Sequence, residues 1–103
     1  MIKVSLLYPN GAGTTFNMDY FVNTHVPMTL QRVGAACKSG AVEQGISGGE
    51  PGSAPTYVAM GHMYFETLDD FTSSFYPHAD EVMGDIPNYT NITPIIQISE
   101  VKI

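Results

Sequence analysis

Residues 57–65 read YVAMGHMYF, and this stretch decides the fold. It is rich in aromatic and other β-favouring residues, which is typical of a strand. Alternate side chains of a strand point to opposite faces, and here both faces are apolar. The two sets are Tyr57, Met63 and Phe65 on one face and Val58, Met60 and Tyr64 on the other. Because helices can cover only one face of a sheet, a second copy of the chain is the simplest cover for the other.

Three further strands are predicted around this one. Residues 2–8 alternate with the period of two that marks a strand, and residues 95–101 give the last strand. A short strand through residues 41–43 has the weakest pattern of the four. Residues 48–55, GGEPGSAP, carry turn-forming residues throughout and are predicted to form a loop.

The first predicted helix runs from Asn17 to about Val33. Asn17 is a suitable N-cap, and Phe16 is expected to pack on Phe21 as a hydrophobic staple. Gly34 follows the last residue of the periodic pattern and is the predicted stop.

The second predicted helix begins at Thr67-Leu-Asp-Asp70, a variant of the capping box. Apolar residues then recur at helical spacing, namely Leu68, Phe71, Phe75 and Val82. The element order is therefore β-α-β-β-α-β. This order predicts a ferredoxin-like α+β fold, with an antiparallel sheet and both helices on one face, in a single domain spanning residues 1–103.

Composition narrows the class of protein. Hydrophobic residues make up 44% of the chain and charged residues 14%, which favours a compact globular fold over disorder. The formal charge of −6 argues against nucleic acid and anionic membranes as partners. The single cysteine, Cys37, cannot form an internal disulfide, and the chain has neither a signal-peptide pattern nor an apolar stretch of membrane-spanning length. A cytoplasmic location is therefore expected.

His25 is the first candidate functional residue. On a helical wheel it shares an arc of roughly 80° with Met18, Phe21 and Met28, so its ring is expected to point toward the sheet. Two interpretations stay open at this point. The ring is either a core histidine hydrogen-bonded to a backbone group or a tyrosine, or a titratable group serving a site.

Pro27 lies two residues after His25. It has no N–H for the carbonyl of Asn23, and its ring crowds that carbonyl, so the helix is expected to bend and open a gap at the level of His25. Ala59 and Gly61 give the facing strand little bulk. Either a cavity lined by Met and aromatic side chains lies under His25, or larger helix side chains fill the space as a normal core.

The remaining candidates divide by role. Tyr8 and Tyr89 are candidates to orient a substrate by hydrogen bonds, and His78 is a candidate at the cavity mouth. The residues expected to supply apolar contact are Phe21, Met28, Met63, Phe71 and Phe75. His62 lies on the opposite face of its strand from Met63 and is expected to face a subunit partner.

Several sites are excluded by their missing motifs. None of the three histidines has the histidine or cysteine companion three or four residues away that marks a helix-borne metal site, so no metal is predicted. Residues 45–49 match GxSxG, but Ser47 runs into a loop rather than the strand-turn-helix that a nucleophile elbow needs. The glycine-rich nucleotide-binding motifs are absent as well, and no cofactor is predicted.

Four stretches, LLYPNGAGTTF, DYFVNTHVPM, YVAMGHMYFETLDDF and PNYTNITPIIQISEV, resemble in that order members of the EthD family, which is named for a component of ethyl tert-butyl ether degradation. The resemblance covers nearly the whole chain. It implies the dimeric α+β barrel fold, in which two ferredoxin-like subunits press their sheets together and each holds a pocket between helices and sheet. His25 sits at the family's histidine position, which favours a functional role.

The resemblance is compatible with several activities. The superfamily to which EthD proteins belong includes cofactor-free monooxygenases, polyketide cyclases and lactone isomerases. The leading hypothesis is a homodimer with one apolar pocket per subunit, in which His25 is the general acid or base. It would isomerise, cyclise or oxidise a small hydrophobic carbonyl or aromatic compound of a degradation pathway without a cofactor. The alternative is a non-catalytic binding protein, or an accessory to a partner oxygenase. A bound haem or other cofactor, as in some fold relatives, is a third option.

Overall fold

Four strands form one antiparallel sheet in the computed structural model, which describes residues 1–103. The strands are β1 (Ile2–Pro9), β2 (Cys37–Gln44), β3 (Tyr57–Phe65) and β4 (Ile95–Glu100), in the order β2-β3-β1-β4. With a helical segment after β1 and another after β3, the chain has the predicted ferredoxin-like α+β fold. The strand predicted at residues 41–43 is in fact eight residues long, because it pairs along most of β3.

The first helix spans residues 18–33 and consists of three parts. These are an α-helical turn (Met18–Tyr20), a π-helical turn (Phe21–His25) and an α-helix (Val26–Val33). Asn17 is its N-cap, since its side-chain oxygen accepts the Tyr20 N–H at 3.0 Å. The predicted staple forms as well, with the rings of Phe16 and Phe21 5.1 Å apart. The helix ends at Gly34, whose φ of +65° suits glycine.

The π-helical turn lies directly before Pro27. In this turn the Val26 N–H donates to the Phe21 carbonyl, five residues back rather than four. Buried side chains then occur at every fourth residue, namely Phe21, His25, Thr29 and Val33. In a regular α-helix such spacing drifts by about 40° per step, and the extra residue of a π-helical turn reduces that drift. The irregular turn thus keeps His25 in line with the buried face.

After β3 the chain forms a second helix (Leu68–Phe75), a 3₁₀ turn (Tyr76–His78) and a third helix (Ala79–Gly84). Thr67 caps the second helix by accepting the Asp70 N–H at 3.1 Å, as the capping box predicts. A further 3₁₀ turn (Ile86–Asn88) leads toward β4. No helix is both long and apolar enough to cross a membrane.

The helices pack on the face of the sheet that carries Val4, Leu6 and Tyr8 of β1. Opposite these residues on β3 lie Met63, Gly61 and Ala59 in turn. Phe65 is fully buried at one end of this face, where its ring packs 5.3 Å from Phe71 of the second helix. At the other end, Tyr8 is fully buried among aromatic and aliphatic residues that include Phe21 and Ile86.

The other face of the sheet carries no helix of this chain. Leu7 lies between Met60 and Ile95 there, and Ser5 lies opposite His62. His62 does point to this face, as predicted, where its Nδ1 is 2.9 Å from the Ser5 hydroxyl oxygen and its Nε2 is 3.5 Å from a carboxylate oxygen of Glu43. Ile95 is half exposed. This helix-free face therefore combines apolar residues with one polar cluster.

Candidate functional site

A cavity of about 240 Å³ lies between the sheet and the helices. Fifteen of its 20 lining residues are hydrophobic, so it suits an apolar ligand better than water. Six residues that the sequence identifies as site candidates line it: Tyr8, Phe21, His25, Met63, Phe71 and Phe75. Gly61 forms part of the floor, under the ring of Phe21.

His25 is the titratable group of the first helix that reaches this cavity. Only 3% of the residue is exposed to solvent. Its ring is held between two aromatic rings, nearly parallel to Phe21 at 5.8 Å and tilted against Tyr89 at 4.6 Å. The π-helical turn that ends at His25 sets the direction of the ring. These contacts fix the imidazole in one orientation, as a group that transfers protons requires.

Asp85 is the acidic partner of His25, and sequence analysis did not find it. Its Oδ2 lies 2.9 Å from His25 Nδ1. Its Oδ1 accepts two further hydrogen bonds, from the Tyr20 hydroxyl at 2.7 Å and the Asn88 side-chain amide at 2.8 Å. Asp85 directly follows the third helix, 60 residues after His25 in the chain, so no local motif joins the two.

Burial alone would raise the pKa of Asp85, but three hydrogen bonds to its oxygens outweigh that effect. The donors are Asn88, His25 and Tyr20, and together they lower the pKa of the carboxyl group below its usual range. Asp85 is therefore an anion at neutral pH. An anion can only accept hydrogen bonds, so it holds the proton of the neutral imidazole on Nδ1.

The second ring nitrogen of His25 is left unpaired by the chain. Nε2 has no hydrogen-bond partner in the chain, whereas every fully buried side-chain nitrogen and oxygen atom has one. Nε2 is therefore accessible. Because His25 lines the cavity, we place this nitrogen at the cavity surface. With the proton on Nδ1, Nε2 presents a lone pair to whatever occupies the cavity. This is the geometry of a histidine general base oriented by a carboxylate.

Tyr8 and Tyr89 form a buried pair whose hydroxyl oxygens are 2.8 Å apart. Burial is the main cause that raises the pKa of both phenols, and their mutual hydrogen bond raises that of Tyr89 further. Both are therefore neutral near pH 7. Tyr8 borders the cavity, but Tyr89 lies behind it and supports the His25 ring. Tyr89 is therefore not among the residues that border the cavity, and its contact with a ligand stays a prediction.

Two other candidate residues also lie away from the cavity lining. Met28 is only partly buried, because the π-helical turn brings Thr29 rather than Met28 onto the inner face. His78 ends the 3₁₀ turn between the second and third helices and does not border the cavity, because that turn breaks the helical phase. Thr29, which sequence analysis missed, lines the cavity but donates its hydroxyl to the His25 carbonyl at 3.0 Å.

The remaining chemistry-bearing residues do not enter the site. Burial raises the pKa of the Cys37 thiol, which favours the inert interpretation of this residue. Ser47 lies in the loop after β2 and bonds only to the adjacent Gly48 carbonyl. No three His, Cys, Asp or Glu side chains come together as a metal site would require.

The hydrogen bonds of Asp85 predict an acid dependence of stability. Because the pKa of Asp85 is lower in the folded chain than in the unfolded chain, its contribution is fully present above the unfolded value of about 3.9 and is lost as pH falls through the folded value. Urea denaturation at pH 5 and pH 2.5 should therefore show a larger loss of stability for the wild type than for Asp85→Asn. All other carboxyl groups are common to both proteins. Equal losses would show that these bonds do not stabilise the anion.

Replacing Gly61 by alanine is expected to reduce the cavity without disrupting the fold. An added Cβ would lie 3.5 Å from the Phe21 ring, which is an ordinary contact. Alanine also loses less backbone entropy than glycine in a strand, by about 0.5–1 kcal/mol. Thermal unfolding should show equal or higher stability, and ligand affinity should fall. Gly49→Ala, in an open loop position with no neighbour within 4 Å, is the control. Unchanged affinity in Gly61→Ala would contradict the placement of the ligand.

Comparison with solved structures shows what the chain is similar to. An EthD-like protein from Ralstonia eutropha JMP134 is 40% identical, with 99% of this chain and 92% of that chain covered and a TM-score of 0.94. An EthD-family protein from Bacillus halodurans C-125 is 17% identical, with 99% of each chain covered and a TM-score of 0.68. A proposed antibiotic biosynthesis monooxygenase from Bordetella bronchiseptica is 15% identical. The match covers 99% of this chain and 96% of that chain, with a TM-score of 0.61.

The two more distant structures share the fold with this chain. No family model matches the sequence, and no curated protein matches it. The Ralstonia structure carries the assignment, since its identity of 40% extends over nearly the whole of both chains. The sequence resemblance to EthD proteins is thereby confirmed, and this chain belongs to the EthD-like family.

Proposed function

We propose that this protein is a cofactor-independent proton-transfer enzyme in which His25 acts as general base on a small hydrophobic carbonyl or aromatic compound. The reaction would be an isomerisation or a cyclisation, or an oxidation in which dioxygen accepts the electrons, and in each case it begins with removal of a proton. The observation that carries this proposal is the arrangement of the His25 ring, whose Nδ1 is bound by Asp85 and whose Nε2 opens to the cavity.

The surroundings of His25 support proton transfer over simple hydrogen bonding. Asp85 stabilises the imidazolium that forms when Nε2 takes a proton, because its carboxylate lies 2.9 Å from Nδ1. The cavity lining is mainly apolar, so this electrostatic contribution is screened less than it would be at the surface. A residue that served only as a hydrogen-bonding core histidine would not need an open Nε2.

Covalent catalysis has no support in the same cavity. The hydroxyl groups of its lining residues are those of Thr29, which donates to the His25 carbonyl, and Tyr8, which is paired with Tyr89. The Ser5 hydroxyl lies on the helix-free face, and Cys37 does not border the cavity. General acid–base chemistry is therefore the mechanism that these residues favour.

The proposed enzyme is a homodimer joined through the helix-free face of the sheet. That face exposes apolar side chains on adjacent strands, with Leu7 between Met60 and Ile95. Two copies pressed together would remove this surface from water. Leu7→Lys should place a charge in the contact and shift the protein to monomers in sedimentation experiments. A wild-type protein that sediments as a monomer would remove this part of the proposal.

The test of the activity begins with the natural ligand. Native mass spectrometry of the purified protein would identify a small molecule that co-purifies, and incubation of that molecule in D₂O would then show by NMR whether one of its C–H positions exchanges. Exchange that depends on His25 supports the enzyme. Absence of exchange in a molecule that is tightly bound and recovered unaltered would overturn it.

The alternative is a binding or accessory protein for a partner oxygenase, and one observation favours it. His25 and His62 both border the cavity, but the ring of His62 is held on the helix-free face by Ser5 and Glu43. The hydroxyls of Tyr8 and Thr29 are also paired within the chain. A cavity with a single unpaired polar group is sufficient for binding. The exchange experiment separates the two functions, because a carrier leaves its ligand chemically unchanged.

A further inference from the structure

The charges of the chain bear on which ligands the cavity accepts. The four basic residues are Lys3, Arg32, Lys38 and Lys102, and none of them lines the cavity. Arg32 is held on the surface by Glu81, at 2.8 and 3.1 Å. A carboxylate or phosphate group in the cavity would therefore find no cationic side chain of arginine or lysine. Burying such an unpaired charge is strongly unfavourable.

The His25 imidazolium does not change this conclusion. If His25 is protonated, its positive charge already faces the Asp85 carboxylate at 2.9 Å. An anionic ligand would then place a second negative charge close to the same ring, and it would be repelled by the Asp85 carboxylate. The dyad has no net charge when His25 is protonated and a net charge of −1 when the ring is neutral, so it attracts an anion in neither state. Uncharged ligands are therefore favoured on electrostatic grounds.

The direction of the hydrogen bond at Nε2 restricts the ligand further. Asp85 can only accept a hydrogen bond, so the neutral ring carries its proton on Nδ1 and offers a lone pair on Nε2. The atom that contacts Nε2 must therefore be a donor. A ketone or ether oxygen would place a lone pair against a lone pair, whereas a hydroxyl group satisfies the nitrogen.

The size and walls of the cavity indicate a single ring. Its volume of about 240 Å³ lies below the about 300–1,000 Å³ of pockets for drug-sized ligands. Aromatic rings of both helical segments border it, with Phe71 and Phe75 stacked at 5.2 Å in one wall and Phe21 in the other. Flat rings pack well against such walls.

We infer that the cavity binds an uncharged one-ring molecule whose hydroxyl group, of the phenol or enol type, donates a hydrogen bond to His25 Nε2. This rests on the proposed function in that it places the ligand at the same base. It narrows the substrate from any small hydrophobic carbonyl or aromatic compound to those that carry an acidic O–H group.

Three probes that share the 4-methylphenyl ring and differ in one substituent test this inference by calorimetry at pH 7.5. 4-Methylphenol has the donor, 4-methylanisole has the same ring without it, and 4-methylbenzoate is an anion. 4-Methylphenol should bind at least about tenfold more tightly than 4-methylanisole, the effect of one hydrogen bond to a buried acceptor. 4-Methylbenzoate should bind more weakly than either. Nitrogen NMR of the His25 ring should show a shift at Nε2 with 4-methylphenol alone.

Two variants locate the binding. Gly61→Ala should weaken 4-methylphenol binding and Gly49→Ala should leave it unchanged. Equal affinities for 4-methylphenol and 4-methylanisole, tighter binding of 4-methylbenzoate, or no binding of any probe would each overturn the inference. The proposed function has its own test in the D₂O exchange of the co-purified molecule. A ketone without a hydroxyl group that exchanges in a His25-dependent manner would overturn the inference and leave the function standing.

Discussion

His25→Ala is expected to lower the rate of proton transfer by about 10²–10⁴-fold, the usual contribution of a positioned general base. The variant removes the one nitrogen that opens to the cavity, and no neighbouring group can replace it. Tyr8 and Tyr89 are poor substitutes because burial raises the pKa of both phenols. The Thr29 hydroxyl is already bonded to the backbone.

The variant should remain folded. His25 lies in the first helix, whose caps and apolar contacts at Phe21 and Val33 are unchanged. Asp85 would lose one donor but would keep those from Tyr20 and Asn88. Circular dichroism and sedimentation would report the fold, and deuterium exchange of the co-purified molecule would report the rate. His78→Ala, a histidine outside the cavity lining, is the matched control. A His25→Ala rate equal to that of the control would remove His25 from the mechanism.

Local patterns were enough to predict most of the fold. The strand at Tyr57–Phe65 was predicted at its observed bounds, because its composition and its turn-rich flank both mark a strand. The caps at Asn17 and Thr67 and the stop at Gly34 follow from side-chain chemistry within a few residues. β2 was predicted too short, since its length is set by pairing with β3 and not by its own sequence, CKSGAVEQ.

The departures at the site have two physical causes. A helical wheel assumes a constant angle per residue, so it could not include the π-helical turn before Pro27. That turn places Thr29 where the wheel predicts Met28. The pairing of His25 with Asp85 depends instead on how the third helix ends against the first, a tertiary contact between residues 60 positions apart.

Asp85→Asn is expected to reduce proton transfer by a similar factor, about 10²–10⁴-fold, while His25 stays in place. Two donors, the Tyr20 hydroxyl and the Asn88 amide, already bind Oδ1 of Asp85. In the variant the remaining amide oxygen should stay with these donors, so the new NH₂ group would take the place of Oδ2 and point at His25 Nδ1. Nδ1 must then accept, and the ring proton moves to Nε2.

That change of tautomer would remove the lone pair that faces the cavity, which is why a nearly isosteric substitution should have so large an effect. The ¹⁵N shifts of the His25 ring at pH 7.5 would show the proton on Nδ1 in the wild type and on Nε2 in Asp85→Asn. Tyr20→Phe is the control, because it deletes one donor to Oδ1 but leaves the carboxylate, and its ring proton should stay on Nδ1. A tautomer and an exchange rate unchanged by Asp85→Asn would show that this carboxylate does not orient the base.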